Sequence, residues 1–292
     1  MRDDVVAGLE RAKDIPTLPE IVVRLMEALN SGHAGAAQIA EIVSTDPAIA
    51  ARILRLANSA YYGRAGSGRE ITSVPYAVAR IGFREIKNLV MTLSVFRMFE
   101  LKGAAFDLKG VWRHSASVAY ATKVVHGYAR DGYAATDEEI DAYYAAGLLH
   151  EIGLLLLYRY FPDRVNALFE GYQKNGGNFL AGETEHLGTT HATVGGFIAR
   201  RWDLPEMIVV PMENYLDPET TPESFRRAAR VVHLADYLVS LHHPDQSAVP
   251  LMEATESYQA ALRALDIPLR SVDEILDLVE EGTEHSKAVV SF

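Results

Sequence analysis

Apolar residues recur at helical spacing along nearly the whole chain. In "LPEIVVRLMEALN", Leu18, Ile21, Val22, Leu25 and Leu29 share one face. Thr17 and Glu20 are placed for a capping box ahead of it. "DPAIAARILRLANSAYYG" offers Asp46 as N-cap and Pro47 at the first helical position, with Ile49, Ile53, Leu56 and Ala60 in one stripe and Gly63 suited to a left-handed stop. "FREIKNLVMTLSVFRMF" carries Phe83, Ile86, Val90 and Leu93, with Arg84, Glu85 and Lys87 on the wet side. A helix from "VWRHS" runs to about Ala129. Thr136 and Glu139 cap the helix leading into "AYYAAGLLHEIG". Pro162 opens another that ends at Asn175-Gly176-Gly177, "THATVGGFIARRW" follows a break at Gly188, and Thr221-Pro222 precedes "ESFRRAARVVHLADYLVSLHH". Ser271 and Glu274 cap a last helix at "VDEILDLVEE". No long β-branched alternation and no Asn-Gly hairpin signal occurs; "ITSV" is at most a short extended piece.

The fold class is therefore all-α. The two lysine-glycine steps in "FELKGAAFDLKG", 99 to 110, mark the best internal boundary, and "PDQSAVP", 244 to 250, marks a second joint. The expected division is an N-terminal helical bundle over 1–103, a second helical bundle over 104–245 and a helical C-terminal tail over 246–292.

Composition narrows the class of function. A formal charge of −11 lacks the cationic footprint that broad nucleic-acid binding needs. With no cysteine there is no disulfide and no thiolate metal site. The N-terminus carries acids where a secretion signal has positive charge, and the longest apolar run, "IGLLLLY", is far shorter than the ~20 residues of a membrane helix. These features lead to the expectation of a cytoplasmic protein without a membrane partner.

The candidate chemistry sits in "GLLHEIGLLLL", where His150 and Glu151 interrupt a run of Leu, Ile and Gly. An ionised carboxylate among leucines costs several kcal/mol unless it is paired or metal-bound. His114, His191 and Asp236 lie on other helices of the same half and could join the pair. Imidazole plus carboxylate suits Fe, Mn or Zn, and such an ion lowers the pKa of a bound water for phosphoester hydrolysis. The competing reading is a buried, hydrogen-bonded polar cluster that fixes helix register, with His191 merely flanking a helix start.

His114 in "VWRHS", His150 in "GLLHEIG" and Asp236 in "VHLADYL" resemble the His…His-Asp…Asp set of the HD superfamily of metal phosphohydrolases, and His191 in "GTTHATVGG" falls where two-metal relatives have a further histidine. The sequence departs from that pattern. Glu151 stands for the paired Asp, Leu154 for the usual Lys, and "MENYLDP", with only Glu213-Asn214, for a His-His pair and a Gly-Tyr-Pro loop. "IPTLPEIVVRLMEAL", "IAEIVSTDPAIAARILRLANSAYYG" and "ITSVPYAVARIGFREIKNLVM" resemble the HDOD domain, the HD-related output domain of bacterial signalling proteins, over roughly residues 13 to 215. That resemblance implies a degenerate HD-like fold and a regulatory, non-catalytic module. It would act by protein–protein contact with kinases, cyclic-nucleotide enzymes or receptors and need no cofactor. The alternative it leaves open is a metal-dependent phosphohydrolase acting on a nucleotide or cyclic dinucleotide.

Two cationic stripes, Arg80/Arg84/Lys87 and Arg226/Arg227/Arg230, read as solvated helix faces or as docking patches for an acidic partner or a nucleotide. His242-His243, near a helix end, reads as surface.

Overall fold

Helix after helix forms where the periodicity places it, and no strand occurs among the described residues. The computed structural model describes residues 3–59, 62, 70–99, 103–244 and 255–290. Contacts divide the chain into two compact units, one formed by Pro16–Glu100 with His285–Phe292 and the other by Met1–Ile15 with Leu101–Glu284.

The smaller unit holds α2 (Glu20–Asn30), α3 (Ala36–Ser44), α4 (Pro47–Ala57), α5 (Val74–Ile81) and α6 (Phe83–Arg97). Their apolar stripes meet in one core that includes Leu25, Ile39, Val43, Ile49, Ile53, Val78, Ile86 and Leu93. Asp46 caps α4 as its sequence predicts, accepting from the backbone N–H of Ala48 at 2.9 Å and Ile49 at 3.1 Å, while Arg97 donates to its other oxygen at 2.6 Å. The capping box at Thr17 does not form. Pro19 occupies the N-cap of α2 with no side-chain bond, because Thr17 lies two residues too early for a helix that begins at Glu20. Helix α4 ends at Ala57, and the Asn58 side chain reaches past the local backbone, accepting from Ile71 N–H at 2.7 Å and donating to the Ile71 carbonyl at 2.8 Å. Tyr62 packs against this unit's core. Ala60, Tyr61 and Gly63 lie outside the described residues, as does all but the start of the 244–250 joint.

The larger unit contains α1 (Asp3–Arg11), α7 (Leu108–Tyr128), α8 (Asp137–Leu149), α9 (Ile152–Tyr160), α10 (Pro162–Asn175), α11 (Phe179–Leu187), α12 (His191–Arg201), α13 (Glu206–Asn214), α14 (Glu223–His242), α15 (Thr255–Ala264) and, as far as Glu284, α16 (Val272–Val290). Helix α7 packs on α8 and α14, α9 packs on α12, and α13 touches α8, α12 and α14. Thr136 and Glu139 complete the expected capping box of α8.

Two boundaries differ from the expected division. Helix α1 belongs to the larger unit. Its Val5 and Leu9 are buried, Gly8 lies against the Phe161 ring, and Asp14 accepts from the Tyr160 hydroxyl at 3.1 Å. The C-terminal helices are no separate tail either. Leu262, Leu265, Ile275 and Val279 share one core with Val118 and Val125 of α7 and Leu234, Leu238 and Val239 of α14. Asp137–Tyr160 is the one described stretch long and apolar enough to cross a membrane, and it lies almost wholly buried within this unit.

Candidate functional site

Two close helix approaches position the site. Helix α8 stops at Leu149, His150 is its C-cap, and Glu151 (φ −96°, ψ 3°) separates it from α9. "GLLHEIG" is thus a joint between two helices, not the interior of one. At Gly147, a Cβ would lie 2.9 Å from the Thr122 methyl and 3.1 Å from the Ala119 Cα, so α7 runs tight against α8 and brings His114 beside His150. At Gly153, a Cβ would lie 1.9 Å from the His191 carbonyl oxygen and 2.5 Å from the Gly195 nitrogen. Only a residue without a side chain allows α9 and α12 to cross there, and that crossing sets His191 next to the joint.

Three of the five candidate ligands converge. His114, His150 and Asp236 each offer an atom within 4.8 Å of the others'. His114 Nε2 is 2.9 Å from Asp236 Oδ1 and His150 Nε2 is 3.6 Å from the same oxygen. His150 Nδ1–H donates to the Gly147 carbonyl at 2.7 Å, which orients the ring and turns Nε2 toward the carboxylate. Both imidazoles are fully buried, while the Asp236 side chain keeps 25% of its surface. Glu151 is 1% exposed, and its Oε2 has no hydrogen-bond partner; neither have His114 Nδ1 and His150 Nε2.

His191 is drawn into a different arrangement. Its Nδ1 lies 2.9 Å from both carboxylate oxygens of Glu183, its backbone N–H donates to Glu183 at 3.3 Å, and its Nε2 is 2.6 Å from the Tyr215 hydroxyl. Glu183, His191 and Tyr215 are all buried. The Tyr215 ring stands edge-on to His150, with centroids 5.1 Å apart. Neither Glu183 in "AGETEHLG" nor Tyr215 in "MENYLDP" was evident from the sequence.

This donor set has the chemistry of a site for one ion. His114, His150 and Asp236 form a two-imidazole, one-carboxylate set, and the Gly147 carbonyl behind His150 is the outer-shell contact that metal-binding histidines usually have. An ion held by them would act as a Lewis acid and lower the pKa of a bound water. Beyond Glu151, the other candidate ligands among the described residues are engaged elsewhere. Both His191 nitrogens are bonded, Glu213 forms a two-pronged pair with Arg200 at 2.6 and 3.0 Å, and Asn214 donates to the Val210 carbonyl.

Charge follows the same geometry. Burial alone would raise the Asp236 carboxyl, but the His114 hydrogen bond and the close approach of His150 hold it far below the ordinary carboxylate range. Burial depresses the imidazoles of His150 and His191; Asp236 overcomes it for the first and Glu183 for the second, so both end above the usual histidine value. Burial, with Asp236, Glu151 and Glu183 nearby, pushes the Tyr215 hydroxyl well above 10.

The two raised histidines make stability fall with alkalinity. Each keeps a proton in the folded chain that the unfolded chain releases near pH 6.5. Their contribution is whole below about pH 6.5 and is lost as pH rises through their folded values. His126 and His233, lowered chiefly by burial, act with opposite sign and below about pH 6.5. The urea midpoint is therefore expected to be highest near pH 6.5 and to decline toward pH 9, with a shallower decline in His191→Gln. A flat profile above pH 6.5 would show that these imidazoles are neutral.

The cationic stripes are largely occupied. On α14, Arg227 pairs with Asp131 at 2.6 and 3.1 Å and stacks on Tyr133, Arg230 binds Glu219 through two 2.8 Å bonds, and Arg226 reaches Glu223 at 2.6 Å. These guanidiniums hold the turn before α14 and the loop after α7. Arg80 donates to the Tyr62 carbonyl at 2.8 Å; on α6, Lys87 is half-buried and Arg84 is the exposed member.

A helical domain of the HD type, with part of its ligand set replaced, is what this fold and cluster define. The HDOD domain family model matches residues 15–218, and the chain belongs to that family. An uncharacterized protein of Treponema pallidum (strain Nichols) is 27% identical over 233 residues; they make up 79% of this chain and 43% of that relative, so the chain spans less than half the relative's length. The crystal structure of an HDOD domain protein with unknown function from Geobacter sulfurreducens superposes with a TM-score of 0.75 at 23% identity, covering 96% of this chain and 97% of that one. A Marinobacter aquaeolei VT8 structure, named provisionally as a signal transduction protein, gives 0.76 at 21%, covering 100% and 66%. One from Shewanella amazonensis SB2B, named provisionally as a phosphohydrolase, gives 0.72 at 24%, covering 98% of each. At these identities the likeness is one of fold.

Proposed function

We propose that this chain is a non-catalytic regulatory module of bacterial signalling. It works in the cytoplasm by contact with other signalling proteins, such as kinases, cyclic-nucleotide enzymes or receptors. The observation that supports this reading best is the Glu183–His191–Tyr215 chain. It occupies both nitrogens of the imidazole that a second ion would need. In-line attack on a phosphodiester by two metals requires ions about 3.5–4 Å apart. The full burial of His114 and His150 agrees with a structural role, since a catalytic ligand set needs one face open to substrate. The cluster then serves as a register pin that ties α7, the α8–α9 joint and α14 together.

A second reading has its own support. The convergence of His114, His150 and Asp236, with buried atoms lacking partners, suits a single-ion phosphohydrolase acting on a nucleotide or cyclic dinucleotide. Turnover of bis-p-nitrophenyl phosphate and of cyclic dinucleotides, measured with Mn²⁺, Fe²⁺ or Zn²⁺ supplied, separates the two. The regulatory reading expects no rate above that of His150→Ala. Turnover at an ordinary enzymatic rate, abolished by His150→Ala and His114→Ala, would replace it with the hydrolase.

A further inference from the structure

The unit contains a second imidazole–carboxylate cluster, at the far end of α14. His242 is the last residue of that helix and His243 is its C-cap. Successive helical residues point about 100° apart and do not normally share a target. Here His243 has left helical geometry (φ −126°, ψ 64°), which swings its ring back toward its neighbour's side. The two rings meet edge to face, with centroids 4.7 Å apart. Both Nε2 atoms are directed at one carboxylate oxygen, Glu280 Oε2 on α16, at 2.6 Å from His243 and 3.5 Å from His242.

His243 and Glu280 stand at ion-pair distance. His243 Nε2 and Glu280 Oε2 are both shut off from solvent, and neither makes a hydrogen bond despite their closeness. Three donor atoms thus lie within 4.8 Å of one another, two of them buried and without a hydrogen bond. Ligands of one tetrahedral ion, each about 2 Å from it, lie about 3.3 Å apart, so the His242 separation is close to that value and the shorter His243 contact would open by roughly 0.7 Å to admit an ion. The floor beneath is rigid, because Val239 and Val279, on the same two helices, are fully buried in the shared core. The His242 and Glu280 side chains remain 39% and 38% exposed, which leaves an entry path and room for a water ligand.

We propose that His242, His243 and Glu280 bind one divalent transition-metal ion, of the zinc, nickel or copper class, that fastens the C-terminal end of α14 to α16. Two imidazoles and one carboxylate favour these ions over Ca²⁺ and Mg²⁺, which prefer all-oxygen shells. The site is separate from the His114–His150–Asp236 cluster and does not depend on how that cluster is read.

The test uses the full, untagged chain, stripped of metal by chelator and titrated with Zn²⁺ against a chromophoric indicator. Outer-shell changes alone weaken metal sites 10–100-fold, so loss of a ligand must weaken this one by at least about tenfold. Glu280→Gln and His243→Ala are expected to show that loss, while His33→Ala, at an exposed histidine of the smaller unit, keeps the binding. Zn²⁺ is also expected to raise the Tm of the wild-type chain but not of Glu280→Gln, a substitution of nearly equal shape that keeps the fold. Co²⁺ should give visible d–d absorption that His243→Ala removes. Absence of stoichiometric binding, or binding unchanged by both substitutions, overturns the proposal and leaves the cluster an ion pair only. Binding sensitive to His150→Ala alone assigns the ion to the central cluster and likewise overturns it.

Discussion

Gly153→Ala is expected to destabilise the larger unit by at least about 3 kcal/mol, the upper end of ordinary overpacking. An added methyl would sit 1.9 Å from the His191 carbonyl oxygen and 2.5 Å from the Gly195 nitrogen. Both are backbone atoms of α12, so no rotamer change relieves the clash and two helices must move apart. Domains of this size have about 5–15 kcal/mol of stability in all, so such a change shifts the urea midpoint far down or leaves the chain unfolded. Gly171→Ala is the matching control. Gly171 lies inside α10 with nothing within 4 Å of its added methyl, and alanine's better helix propensity should stabilise by roughly 1 kcal/mol. Equal stability of Gly153→Ala and wild type in urea, followed by circular dichroism, would refute the backbone contact between α9 and α12.

His191→Ala is expected to cost about 3–5 kcal/mol, the usual penalty for leaving one half of a buried ion pair alone. Glu183 is fully buried, and His191 gives its carboxylate both a ring and a backbone contact. Removing the ring also strips the partner from the Tyr215 hydroxyl and opens a cavity. Tyr215→Phe, which removes one hydroxyl, should cost about 1–3 kcal/mol. Both are read from urea unfolding near pH 6.5. If His191→Ala proves milder than Tyr215→Phe, Glu183 has another route to satisfaction and the buried pair is not what holds α11 to α12.

Local signals were legible and long-range ones were not. Asp46-Pro47, Thr136 with Glu139, and Pro162 act on their own helix starts, so a few neighbouring residues reveal them. His114, His150 and Asp236 were readable as a set because their three local motifs resemble the HD pattern. The partners of His191 were hidden. Glu183 lies on the preceding helix and reaches His191 only because the chain turns at Gly188 in left-handed geometry (φ 73°, ψ 6°). The joint at His150–Glu151 was masked by leucines that keep helical spacing on both sides. The C-terminal helices looked like a tail because α14 is apolar around much of its surface, and one sequence does not tell which side they cover.

The interruption between α8 and α9 has a consequence during synthesis as well as in the folded chain. Asp137–Tyr160 is 24 residues whose make-up would suit a lipid bilayer, and His150–Glu151 falls just past its midpoint. A carboxylate at that depth adds about 3 kcal/mol to the free energy of lateral release from a translocation channel. Glu151, buried beside the helix joint in the folded unit, thus also disfavours lipid for the emerging segment.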